Sequence, residues 1–183
     1  MSVKKKASSQ GVARATRGSA KVKAKVSAQS TAARRSAEAQ LRLLIDKFTP
    51  GKLQLVTAMR RSLRKRLPTA HEVVYEYRDC FVTSFSPSEH GYEGVLAIRG
   101  SADAVRLYFN QGKDLPDPEK LLQGSSQTRF IEVEGASTLT RPAVATLIDK
   151  AMARNRVPFE RAGRGSVIIR STSAKKPQRR RPA

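Results

Sequence analysis

Cysteine, histidine and long apolar runs are scarce in this chain, and acidic residues are missing from both of its ends. One cysteine, Cys80, excludes an intramolecular disulfide and suits a reducing compartment, so a cytoplasmic setting is expected. His71 and His90, with that one thiol, leave too few soft ligands for a zinc or copper centre. No apolar run approaches the roughly 18 residues needed to span a bilayer, so no membrane partner is expected. The N-terminal stretch also lacks the apolar core of a secretory signal. Its Arg, Ser and Ala content is that of an organellar transit peptide, but Lys21-Val22-Lys23-Ala24-Lys25-Val26 alternates with period two and builds no helical stripe. Leu, Ile, Phe and Tyr are absent from residues 1–36, which excludes a packed core there. Residues 1–37 are therefore expected to be a disordered basic arm, and 173–183 a disordered basic tail.

What is present is charge, unevenly placed. Of the 36 Lys and Arg residues, ten lie in 1–37 and eight in 161–183, and neither segment holds an acid. That leaves eighteen basic against fifteen acidic residues in 38–160. Nearly all of the net +21 therefore sits at the ends. Arms of this kind attract phosphate backbones through counterion release, so DNA or RNA is an expected partner, bound without base reading.

Residues 38–172 read as one folded domain. Leu41, Leu44, Ile45 and Phe48 follow the i, i+3, i+4, i+7 spacing of a buried helical face, with folding expected to begin near Ala37. Thr49-Pro50 reads as the cap and first-turn proline of a second helix, buried through Leu55, Val56, Met59, Leu63 and Leu67 and stopped by Pro68. Its opposite arc carries Arg60, Arg61, Arg64 and Lys65, a basic ridge within about 140° of the helix circumference. From His71 the period changes to two, and Phe81–Phe85 either continues that strand or begins the next one. Further strands read at 94–99 and 104–109, joined by the turn Gly100–Asp103, and at 130–133. Tyr75 and Tyr108 would line a small pocket if they share a face. Asp117-Pro118 looks like the start of a short helix seated by Leu121 and Leu122 and ended by Gly124. A last helix begins near Thr140, and Ser166–Ser171 adds an edge strand. The fold expected is α+β, a mainly antiparallel sheet of four to six strands packed against N-terminal and C-terminal helices.

Leu115-Pro116-Asp117-Pro118, then Leu121-Leu122-x-Gly124-Ser125, then Arg129-Phe130-Ile131 resembles the YdhG-like family of domains of unknown function. Leu67-Pro68 before the first strand, the Phe109 to Gly112 strand end and the helix at 140–153 fit the same pattern, over about residues 38–155. The resemblance implies a small α+β binding module with no established catalytic residues. Some relatives are labelled frataxin-like iron chaperones, so iron is the one cofactor it suggests. The family's Gly-Ser-Gly-Lys turn is replaced here by Gly124-Ser125-Ser126-Gln127.

Two candidate sites emerge. Gly124, Ser125 and Ser126, with Arg129 as a bidentate cation, would cradle a small anion on backbone N–H groups. The competing reading makes them a helix C-cap, with Arg129 paired to Asp114 or Glu132 and a helix dipole that repels anions. The second candidate is the ridge Arg60, Arg61, Arg64 and Lys65, a surface for nucleic acid. Asp114, Asp117, Glu119, Glu132 and Glu134 form the densest acidic group, but their spacing matches no cation loop. Ser125, Ser126 and His90 lie in no nucleophile motif, and Cys80 sits among strand apolars, so no enzyme is expected.

Overall fold

The structure, a computed structural model, describes residues 29–171. The expected disorder before Gln29 and after Ser171 lies outside the described residues. Within them the chain starts with a helix, α1 (Thr31–Phe48), which begins well before Ala37. Ser30 caps it by accepting the Ala33 N–H at 3.2 Å. Residues 31–37 had been counted into the arm for want of large apolar side chains. They are rich in alanine, a strong helix former, and need only Ala37 buried to join the fold.

Thr49-Pro50 does not start the second helix. The Thr49 hydroxyl donates back to the Ile45 carbonyl and so finishes α1. Gly51, at φ +74°, then reverses the chain into α2 (Leu53–Arg66). Val56, Met59 and Leu63 bury the expected stripe of α2.

The sheet has six strands, β1 (His71–Glu76), β2 (Cys80–Ser86), β3 (Leu96–Ser101), β4 (Val105–Phe109), β5 (Arg129–Glu132) and β6 (Val167–Ser171). Their order is β5-β4-β3-β2-β1-β6. The first five form an antiparallel meander, whereas β6 joins β1 in parallel. The sheet is thus mixed. A parallel neighbour needs a long crossover, and α3 (Pro142–Ala153) with residues 154–166 supplies it. That helix consequently precedes the last strand instead of ending the domain.

No helix follows Asp117. Its carboxylate accepts the Leu121 and Leu122 N–H groups at 3.0 and 2.7 Å and so closes a loop of four to five residues. Lys120, at φ +54°, turns the chain out of the helical path. Gln123 then forms an antiparallel bridge with Phe130.

All three helices pack on one face of the sheet. Leu41, Ile45, Val56, Leu63, Val144 and Ile148 share one apolar cluster with Val74, Phe81, Phe85, Ile98, Leu107 and Phe109. Among the described residues no helix is long and apolar enough to cross a membrane.

Candidate anion-binding cleft

The predicted ridge on α2 divides in two. A helix advances 100° per residue, so Arg60 and Arg64, four apart, lie on one line, with Arg61 and Lys65 one step further round. Arg60 is buried and reaches Glu72 on β1 through Nε at 2.7 Å and Glu38 on α1 through Nη2 at 3.0 Å. Arg64 makes the same two connections, Nε to Glu72 and Nη2 to Glu38. Two guanidinium groups and two carboxylates therefore tie α1, α2 and β1 together. Glu72 keeps 2% of its side-chain surface, so its charge depends on both arginines. Burial by itself would raise the Glu38 carboxyl, but the bond from Arg64 and the charges of Arg60 and Arg64 hold it below the ordinary range. The same carboxylates outweigh burial at Arg64 and raise its pKa.

Arg61 and Lys65 remain exposed beside this network. They line an open hollow of about 400 Å³ together with Thr57 and Arg164. The hollow is flanked on one side by a groove of about 660 Å³ between α1 and α2, edged by Arg42. On its other side lies one of about 290 Å³ bounded by Arg34, Arg64 and Arg164. Seven cations thus surround the three adjoining hollows, against the carboxylates of Glu38 and Glu72. Both carboxylates are occupied by Arg60 and Arg64. The surplus is Arg34, Arg42, Arg61, Lys65 and Arg164.

The backbone holds that surplus in place. Arg34 donates through Nη1 to the Gly165 carbonyl at 2.7 Å. Gly165 packs so tightly that a Cβ there would lie 1.7 Å from the Ala70 carbonyl oxygen, so any side chain would push Arg164 away from the cleft. Burial, then repulsion from Arg164 and Arg64, lowers the Arg34 pKa despite the opposing pull of Glu38 and Glu72. Repulsion that Arg34 feels from two neighbouring guanidinium groups marks a positive local field that favours an anion.

The other predicted site does not converge. Gly124, Ser125 and Ser126 lie on an exposed loop, and Gly124, at φ +98°, borders the ring of Phe130. The Ser126 hydroxyl donates to the Thr128 carbonyl. Arg129 pairs across the sheet with Phe109, on the helix-covered face, and its stem covers Gly112. Phe130 faces the other way. The expected partners of Arg129 are engaged elsewhere, Asp114 with Gln127 at 2.8 Å and Glu132 beside Arg106 at 4.0 Å. The helix dipole that was to repel anions is absent with the helix itself.

Sequence reading missed Arg34, Arg42 and Arg164. Arg34 and Arg164 fall within the terminal charge, Arg42 belongs to no motif, and nothing local signals that a parallel edge strand brings Gly165 against α1. Among the described residues no three His, Cys, Asp or Glu side chains stand together as a metal centre would require. No protein-family model matches the chain, and no curated protein or solved structure matches it significantly.

Proposed function

We propose that this chain is a non-catalytic, YdhG-like binding module that takes the phosphate groups of a polyanion in the cleft between α1, α2 and the 163–165 turn. One observation carries the reading. Among the described residues, five cations line the cleft without a salt-bridged carboxylate, next to two that are fully paired. Arg34 also ties α1 to Gly165, but the carboxylate network that joins α1, α2 and β1 is complete without the five. Arg34 and Arg164 offer planar forks suited to phosphate oxygens, while Arg61 and Lys65 supply exposed charge along the helix. Nucleic acid is the abundant polyanion that fits, and the basic arms would raise its local concentration without choosing among sequences.

The test is charge reversal outside the paired network. Arg61→Glu, Lys65→Glu and Arg164→Glu combined should weaken binding of a labelled DNA duplex by tenfold or more at low salt, with an unchanged melting temperature. Equal binding by the variant would assign the affinity to the arms and defeat the proposal.

A further inference from the structure

The face of the sheet turned away from the helices is not a plain solvated surface. Aromatic residues of the strands are divided between the two faces. Phe81, Phe85 and Phe109 are fully buried in the helix-covered core. Tyr75 and Tyr108 lie on the opposite face, with Phe130 as the cross-strand partner of Tyr108. Tyr77 continues from Tyr75, the two rings 6.5 Å apart. Tyr92, 78% exposed, stacks on His90 at 5.3 Å in the segment that roofs the β1–β2 end of this face. A Cβ on Gly91 would strike the Tyr75 ring, so that roof rests directly on it. Toward β4 and β5, Arg106, Tyr108 and Phe130 are each only partly buried.

Its charges are as unusual as its rings. Arg99 and Arg106 are direct cross-strand partners on β3 and β4. Like charges placed opposite each other in a sheet destabilise it unless something compensates. Part of the compensation comes from within the protein, because hydrogen bonds to Cys80 and Tyr108 outweigh burial and raise the Arg99 pKa. Arg99 donates to the Cys80 sulfur at 3.4 Å, and the Arg106 guanidinium lies 4.8 Å over the Phe130 ring. The Arg106 Nε is shielded from solvent yet makes no hydrogen bond, with Glu132 at 4.0 Å as its nearest carboxylate. Beside the pair, Tyr108 and Phe130 present tilted rings 5.3 Å apart.

We infer that this open face binds single-stranded nucleic acid, its bases stacking on Tyr108 and Phe130 and a backbone phosphate bridging Arg99 and Arg106. Charge complementarity and the rings select that partner together. A phosphate neutralises the facing arginines, which are both only partly buried, and unpaired bases supply flat π-surfaces for the aromatics. A duplex offers the phosphates but keeps its bases stacked inside, and a protein surface with carboxylates offers no stack of rings. Binding here goes beyond phosphate capture in the cleft, which lies on the helix side of the sheet. The two surfaces can therefore fail independently.

The chain has no tryptophan and four tyrosines, all on or beside this face, so intrinsic tyrosine fluorescence reports its occupancy. Full-length protein is titrated with a single-stranded pyrimidine oligonucleotide and with an abasic strand of equal length and charge. The base-bearing strand should quench tyrosine emission and bind about tenfold or more tighter than the abasic one. Tyr108→Leu with Phe130→Leu should abolish that preference and leave abasic binding intact. The cleft charge reversals should weaken both strands alike and keep their ratio. Equal affinity for the two strands, or no quenching by the base-bearing strand, overturns the inference with the wild-type protein alone. A folded double variant that keeps the preference overturns it as well.

Discussion

Neighbouring residues on α2 show how little sequence position says about the work a charge does. Arg60 and Arg61 are chemically identical, but the first is buried between Glu38 and Glu72 and the second is exposed at the cleft. Arg60→Ala would leave Glu72 buried with half of its compensation, a loss of about 3–5 kcal/mol. Arg61→Ala should stay within about 0.5 kcal/mol of wild type, since it removes only a solvated charge. Urea denaturation of the two variants checks this, and comparable midpoints would contradict the buried network. His71 provides a pH test. Its Nδ1 accepts the Ser166 N–H at 3.3 Å, which requires the neutral ring. Burial pushes its pKa below the ordinary value, with Glu89 opposing. Below about pH 6.5 the unfolded chain takes up a proton that the folded chain resists, so stability should fall as pH drops through that value and level off above it. Glu38, held low by its arginines, should add a second loss at more acidic pH. His71→Asn should flatten the first decline, and an unchanged profile would exclude His71 as its source.

At the scale of elements, the first turns of α1 hold more of the fold than their small side chains suggest. The Gln29 amide exchanges two hydrogen bonds with the Val167 backbone, occupying the edge of β6 as a neighbouring strand would. Arg34 reaches Gly165 in the same region. A chain starting at Glu38 loses these contacts and the Ala37 burial, and should be about 2–4 kcal/mol less stable than one starting at Gln29. Matching denaturation midpoints would contradict this account of the edge. These elements also show what the sequence made legible. Period-two alternation located β1 and the β3–β4 hairpin, and the 3.6-residue period located α2 and α3, because each pattern reflects burial of one face. The start of α1, the turn after Asp117 and the parallel pairing of β6 were not legible. The first depends on alanine burial, the second on one left-handed lysine, and the third on a partner roughly ninety residues away in sequence.

For the whole molecule, the charge imbalance read from composition and the cleft found in three dimensions bear on one property. The ends account for most of the net +21 and lend Arg34 and Arg164 to the cleft, whereas Arg42, Arg61 and Lys65 lie in 38–160, where acids elsewhere offset them in the count. Of the four ridge residues, Arg61 and Lys65 stayed available as read, while Arg60 and Arg64 turned inward to carboxylates on α1 and β1. The competing view gives all polyanion affinity to the arms and treats the cleft as ordinary solvated surface. The two views differ in how binding responds to salt. Each phosphate neutralised contributes about −0.9 to the slope of log K against log salt for a duplex. The most direct measurement is that slope for the full chain and for the Arg61→Glu, Lys65→Glu, Arg164→Glu variant, on the same duplex between low and physiological salt. Phosphate capture in the cleft predicts a variant slope shallower by about 2–3. Parallel lines for the two proteins would contradict it.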